Sequence, residues 1–294
     1  MHNNEQAVDT FQSPTVAVFM AVYEHDCEEW ADAALASILT QSYPQKNIHV
    51  YLGVDGPLPA RMERWVDHIS SKVHRVVRHT QRLGLAAMLN DLLKALGDES
   101  FIFRMDSDDL SLEGRFQSQI DYMSTHPEVG ILGTGIEEVD EQLNHLSTRF
   151  YSTADQVRYT IAKVSPLAHP TVCFRASVLR QLGGYPLSGF NEDIALWFKA
   201  VVNGVVIDNL PEVHLRYRLG AGTFKRRGWR KAFGEFSVYV RGIWALHGLS
   251  GLYVFPLLRL GLRLLPPAIS RLAYGNVEAR NSFSGQGKRS TTEP

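Results

Sequence analysis

Cysteine is scarce in this chain: two residues in 294, Cys27 and Cys173. They stand too far apart for a zinc-knuckle spacing and are too few for a secreted disulfide scaffold. Neither redox nor zinc chemistry is expected of them, and a reducing compartment is the simplest home. Long apolar runs are also missing. No uninterrupted stretch of about 18 apolar residues occurs, and residues 1–13 lack the basic start and apolar run of a signal peptide. The expectation is a chain that stays on the cytosolic side. No internal repeat is found. With 45% hydrophobic and 21% charged residues, 23 glycines and 13 prolines, the composition excludes disorder, collagen and coiled coil. It leaves a globular protein with one large or two small cores.

Net charge is nearly absent too, at −1, but it is unevenly spread. Residues 1–215 hold 16 Lys and Arg against 28 Asp and Glu, whereas residues 216–294 hold 14 against 3. A basic C-terminal quarter on an acidic body points to a surface that meets something anionic.

Apolar runs alternate with amphipathic helical stretches through the first half, the pattern of strands joined by crossover helices into a mainly parallel sheet. Strands are expected at 15–22, 48–54, 73–78 and 101–105, and helices at 28–41, 59–70, 85–96 and 112–125. Past Pro127 the pattern loosens. Strands are expected at 130–135, 138–150, 205–209 and 213–218, and helices at 154–164, 175–182 (stopped by Gly183-Gly184) and 192–202 (capped by Asn191). A helix at 229–247 follows. The division that results is a polar tail at 1–14, an α/β unit at 15–220, a basic amphipathic helical segment at 221–275 and a frayed polar tail at 276–294.

Three carboxylates gather where the fourth expected strand ends, in Arg104-Met105-Asp106-Ser107-Asp108-Asp109. Acids so close repel one another unless a cation sits among them. The carboxyl end of a strand in an open α/β sheet is where ligands bind. Hard oxygen ligands suit Mg²⁺ or Mn²⁺, which take one or two carboxylates and complete their shell with phosphate oxygens. The alternative is a solvated loop in which Asp106 or Ser107 caps the helix beginning near Leu112. Val54-Asp55-Gly56-Pro57 puts one carboxylate in a tight turn, where it either accepts a hydrogen bond from a base N–H or simply shapes the turn. Asn191-Glu192-Asp193 opens a helix whose dipole favours ionised carboxylates, and capping alone would account for it as well.

Together and in this order, these stretches resemble the family 2 glycosyltransferases with their GT-A fold, in the bacterial branch that builds exopolysaccharides and O-antigens. The resemblance covers about residues 15–218. It is carried by Ala17-Val18-Phe19-Met20-Ala21-Val22-Tyr23, Val54-Asp55-Gly56, the stretch from Arg82 to Asn90, and Asp106-Ser107-Asp108-Asp109. It continues with the stretch from His169 to Arg175, Gly183-Gly184-Tyr185, and Glu192-Asp193 ahead of Leu196-Trp197. The resemblance implies an inverting transfer of a sugar from a nucleotide diphosphate sugar, a UDP-sugar above all, to a hydroxyl of a saccharide that is itself lipid-linked. It implies Mg²⁺ or Mn²⁺ as cofactor. Tyr23 would wall the base pocket, Asp55 bind the base, Asp106 the ribose and metal region, and Asp108 the cation bridging the two phosphates. Asp193, beside Glu192, would be the general base.

The chain departs from that family in places. Ala21-Val22-Tyr23-Glu24 stands where Pro-Val-Tyr-Asn is common, Arg82 where Asn is usual, and Leu219 where many relatives have a histidine. Arg82 is expected either to reach a phosphate or to face water. The stretch 220–227, with Lys225-Arg226-Arg227, is expected either to close over the donor or to remain an exposed basic loop. His169 is given a weak acceptor-side role, His74 and His214 are read as packed or hydrogen-bonded neighbours, and Trp197 as core, with acceptor contact as the alternative that the resemblance implies.

Residues 252–269 are leucine-rich but interrupted by Pro256, Arg259, Arg263, Pro266 and Pro267, which makes a poor membrane span. Arg259 and Arg263 share a helix face among leucines, a layout for lying in an anionic lipid interface with the arginines reaching headgroups. The expectation is a peripheral protein on the inner face of the cytoplasmic membrane; the alternatives are a helix packed on the α/β unit and a dimer contact. Two other functions are weighed. A sugar nucleotidyltransferase is disfavoured because Tyr23-Glu24-His25-Asp26-Cys27 offers a triphosphate neither glycine nor cation. The other is a non-catalytic nucleotide or saccharide binder. No nucleic-acid partner is expected, since the basic residues lack clustered aromatic platforms.

Overall fold

The computed structural model describes residues 13–187, 191–220 and 229–264. Its first half is a parallel sheet of β1 (Val16–Val22), β2 (Ile48–Asp55), β3 (Arg75–His79) and β4 (Phe101–Met105), in the order β3-β2-β1-β4. The helices α1 (Glu28–Leu39), α2 (Ala60–Ile69) and α3 (Leu85–Ala95) cross over between them. The unbroken apolar run of β1 follows from cover on both faces. Val16, Val18, Met20 and Val22 pack into one layer with α1, α2 and α4 (Arg115–Thr125). Ala17 and Phe19 pack into the other with α3 and the later helices.

The second half adds antiparallel pairings. β8 (Cys173–Arg175) runs antiparallel to both β4 and β6 (Val129–Val139), and β6 runs parallel to β9 (Val206–Arg218). The parallel character foreseen for the sheet is thus strongest at β3-β2-β1-β4, and the whole is a mixed α/β sheet. Several boundaries move for local reasons. The strand expected at 138–150 breaks at Asp140, whose Oδ1 accepts the N–H groups of Gln142 and Asn144 and turns the chain back into β7 (His145–Arg149). The two strands expected at 205–218 are one, because Pro211 and Glu212 sit in a bulge between paired residues rather than in a break. Leu110–Ser111 forms a short strand, β5, against β9, so α4 begins only after Gly114. Asp106 and Ser107 therefore lie well ahead of that helix, and the capping alternative for them does not hold.

The remaining helices are α5 (Ala154–Thr160), α6 (Ala176–Gln181), α7 (Glu192–Val202), α8 (Trp229–His247) and α9 (Val254–Leu264). α8 lies tight on α7. A Cβ at Gly242 would fall 2.2 Å from the Phe198 ring, so only glycine allows that approach. α9 packs back on α8 with its arginines turned inward. Arg259 Nη1 pairs with Glu235 Oε1 at 3.1 Å and its guanidinium lies 4.6 Å from the Tyr239 ring centroid, while Arg263 Nη1 lies 2.6 Å from Glu235 Oε2. The expectation that these arginines reach toward lipid headgroups is corrected. A buried carboxylate partner on α8 holds them, and Leu257, Leu258 and Leu264 are more than half exposed instead. Residues 1–12, 221–228 and 265–294, with the expectations placed on them, lie outside the described residues.

Candidate active site

The carboxyl ends of β1, β2 and β4 lie side by side on one edge of the sheet, each followed by a loop that carries site residues. At the end of β2, Asp55 is buried and holds the turn that enters α3. Its Oδ1 accepts Leu83 N–H and its Oδ2 accepts Gly84 N–H, both at 2.9 Å. Gly84 has φ +93, a conformation that favours glycine. His79, at the end of β3, bridges Asp55 (3.1 Å) and Asp91 (2.8 Å) through its two ring nitrogens. Burial disfavours charging this imidazole, but the two carboxylates outweigh it and raise its pKa. Asp55 Oδ2, with one donor, keeps a lone pair open.

The loop after β1 joins this corner to the acidic run. Arg82 lies over the Tyr23 ring, 4.5 Å from its centroid, and Arg82 Nη1 pairs with Glu24 at 3.3 Å. Asp26 Oδ2 accepts both the Tyr23 N–H and the Ser107 hydroxyl, each at 3.0 Å. One carboxylate therefore holds the β1 and β4 loops together.

After β4, one carboxylate oxygen from each of Asp106, Asp108 and Asp109 lies within 4.8 Å of the other two. Asp106 pairs with Arg104, whose side chain is buried on β4. Asp109 is buried; its Oδ1 accepts the Arg218 N–H at 2.9 Å and its Oδ2 has no partner. Burial, then the charges of Asp106 and Asp26, push Asp108 up to about 7, and burial with the same crowding lifts Asp109 well above the carboxylate range. Three such carboxylates, one of them with an unpartnered oxygen, fit a hard divalent cation of the Mg²⁺ or Mn²⁺ kind. Arg218, from the end of β9, closes the far side. It donates to Asp108 O and Glu141 O, both at 2.9 Å, and stacks 4.8 Å from the Trp30 ring centroid. Leu219 contributes only its backbone N–H, to Val139 O.

Asp193 and Glu192 occupy the first turn of α7. Burial, reinforced by Glu192, raises Asp193 to about 6. Asn191 is left-handed at φ 50 and its side chain makes no capping bond, so the expected side-chain cap is not formed; its backbone carbonyl accepts Ala195 N–H instead. Arg104 connects the two halves. Its charge acts on Asp106, Asp109, Asp193 and His169, and its own Nε and Nη1 have no partner. Tyr185 is pinned by Asn90 through two backbone hydrogen bonds, and its hydroxyl lies 2.8 Å from His169 Nε2. Burial and then Arg104 keep His169 neutral. Trp197 is fully buried beside Phe174 and His169, as expected of a core residue.

Asp55, Tyr23, Arg82, Asp106 and Asp108 are thus linked through hydrogen bonds, a ring contact and the acidic group, and Asp193 on α7 feels the charge of Arg104. Three members were not singled out for a role in the sequence: Asp26, Arg104 and Arg218. Arg104 precedes the acidic run and Arg218 precedes the departure at Leu219, so adjacency was the available signal. Asp26 left none, since its contact with Ser107 spans 81 residues.

The model of "Glycosyl transferase family 2" matches residues 17–183, and that of "Glycosyl transferase family group 2" matches residues 101–275. An "Uncharacterized glycosyltransferase" of Haemophilus influenzae is 32% identical over 88% of this chain and 97% of its own length. The Escherichia coli "UDP-Gal:alpha-D-GlcNAc-diphosphoundecaprenol beta-1,3-galactosyltransferase" is 28% identical over 91% of this chain and 98% of its own. Among solved structures, S. aureus TarS 1-349 in complex with UDP-GlcNAc superposes with TM-score 0.63 at 17% identity, over 85% of this chain and 71% of that one. The fold is that of the GT-A enzymes, and the chain belongs to glycosyl transferase family 2 and is a glycosyltransferase.

Proposed function

We propose that this enzyme transfers a sugar, with inversion, from a UDP-sugar to a hydroxyl of a lipid-linked saccharide during bacterial surface polysaccharide assembly. The observation that carries the reading is the line of site residues along one sheet edge. Asp55, Tyr23 and Arg82 stand at the ends of β2 and β1 and in the turn into α3, the acidic trio follows β4, and Asp193, on the first turn of α7, feels the charge of Arg104. In this reading Tyr23 walls the base pocket, Asp55 Oδ2 accepts the base N–H, and Arg82 faces the phosphates. Asp106 and Asp108 would hold Mg²⁺ or Mn²⁺, which when bound neutralises charge on the departing diphosphate. Arg104, buried with its Nε and Nη1 unpartnered, pairs with Asp106 and orients it. Asp193, raised to about 6, is ionised at neutral pH yet basic enough to take the acceptor hydroxyl's proton as it attacks from the face opposite the diphosphate. The relative from E. coli named for a diphosphoundecaprenol acceptor supports the lipid-linked class. A thermal-shift screen of UDP-, GDP- and dTDP-sugars, each with and without Mn²⁺, tests the donor assignment. UDP-sugars are expected to raise the melting temperature most, and only with metal; equal shifts for all three nucleotides, or shifts indifferent to Mn²⁺, would count against it.

Peripheral membrane attachment is part of the proposal. No helix among the described residues is long and apolar enough to cross a bilayer. The support lies in the outward face of α9, where Leu257 and Leu258 are 56% and 60% exposed beside Leu264. Burying a leucine contributes roughly 1.5–3 kcal/mol, against roughly 1 kcal/mol for a cation near an anionic leaflet. Since Arg259 and Arg263 are already paired with Glu235, the leucines dominate. The double variant Leu257→Asp, Leu258→Asp is expected to lose most co-sedimentation with anionic vesicles while keeping transfer to a water-soluble acceptor. Unchanged sedimentation would remove α9 from the membrane contact.

A further inference from the structure

The opposite end of the sheet carries a cluster that sugar transfer does not use. His49 is the second residue of β2 and Asp55 its last, so at about 3.3 Å per residue the two lie about 20 Å apart. There, His49 Nδ1 is 2.7 Å from Glu99 Oε1, and the Tyr51 hydroxyl donates to that same oxygen at 2.7 Å. The His74 ring stacks on His49 with centroids 4.1 Å apart. Glu99 sits in the loop before β4 with its side chain 1% exposed. Its Oε1 holds two partners, while the buried Oε2 has none. A carboxylate oxygen left dry in this way is costly unless some group completes it. Among the described residues the His74 ring nitrogens make no hydrogen bond. One ligand atom from each of His49, His74 and Glu99 lies within 4.8 Å of the other two.

We propose that His49, His74 and Glu99 form a binding site for a divalent transition metal of the zinc class, tying the starts of β2 and β3 to the loop before β4. Two imidazoles and a carboxylate are a donor set for Zn²⁺ and a poor one for Mg²⁺, which favours oxygen alone. The backbone already places the three. His74 N–H donates to Val50 O at 2.8 Å, and Gly97 N–H donates to the Tyr51 hydroxyl at 3.3 Å. Tyr51, donating to Glu99 Oε1, is the outer partner that fixes the Glu99 carboxylate beside the two imidazoles. Ligands about 2.0–2.1 Å from a tetrahedral Zn²⁺ stand roughly 3.4 Å apart, so binding would open the 2.7 Å His49–Glu99 hydrogen bond and draw the exposed His74 ring in. Solvent completes the shell from the His74 side. The cysteine count gave no hint of such a site, because its three ligands lie on separate segments and none is a thiol.

The test uses the untagged full-length chain carrying Asp108→Asn, so that the acidic trio competes less for the ion. Zn²⁺ is titrated by calorimetry and Co²⁺ by visible absorption. One equivalent of Zn²⁺ and a tetrahedral Co²⁺ spectrum are expected. His74→Ala is expected to weaken that binding at least tenfold, and Glu99→Gln to do the same. His74 is exposed and its replacement leaves the core intact, so folding is not at stake there. Absence of Zn²⁺ binding by the parent, or binding and spectra in His74→Ala that match it, overturns the proposal. Neither outcome bears on sugar transfer, which is read at the other end of the sheet.

Discussion

Asp193→Asn is expected to lower turnover by about 10²–10⁴-fold while leaving donor binding in place, the range a positioned general base contributes. The asparagine keeps the size and the first-turn position on α7 but cannot take a proton. The loss therefore falls on kcat and kcat/KM together and not on KM alone. The parent's pH dependence provides an independent check. Burial and the neighbouring Glu192 raise Asp193 to about 6, and the base works only when ionised. Turnover should stay level above about pH 6 and fall roughly tenfold per unit below it. An ordinary carboxylate would place that limb near 4. In Asp193→Asn the residual activity should lose this limb. Calorimetry with UDP and Mn²⁺ separates a lost base from a lost site. Full turnover in the variant, or a parent limb near pH 4, would remove Asp193 from the reaction.

Most of what positions this site was legible in the sequence because it is local. The apolar runs of β1 and β4, the Asp55-Gly56 turn and the acidic run after Met105 each announce themselves within a few residues, and they fall at strand ends where an open α/β sheet binds ligands. What escaped depends on contacts between distant segments. Asp26 clamps Ser107 across 81 residues, and Arg218 reaches Asp108 across 110. β8 is only three residues long and owes its existence to β4 and β6 on either side. The arginines of α9 follow the same rule: helical spacing put Arg259 and Arg263 on one face, but only packing on α8 decides that this face turns toward Glu235. Pro211 shows the reverse error, a local break signal overridden by the long pairing of β9 with β6.

Asp108→Asn should cut transfer by orders of magnitude and yet raise the melting temperature of the metal-free protein. In the folded chain burial, then Asp106 and Asp26, push Asp108 up to about 7 from an ordinary carboxylate value of 3.8. Between those two pH values the folded state holds a proton that the unfolded chain has already released, so this group stabilises fully below about 4 and that stability is lost as the pH rises toward 7. At pH 7.5 without metal Asp108 is ionised against burial and the crowding of its carboxylate neighbours. Asparagine removes one of the charges, and a rise of a few degrees is expected in the presence of EDTA. A divalent cation relieves the same repulsion in the parent, so Mn²⁺ with UDP should raise the parent's melting temperature strongly and the variant's little. Charge neutralisation on the leaving diphosphate contributes several kcal/mol to a reaction of this kind, so the loss of transfer should reach about two to four orders of magnitude. A variant that melts lower than the parent in EDTA and still responds fully to Mn²⁺ would mean that Asp108 is a structural residue of the loop and that the cation lies elsewhere.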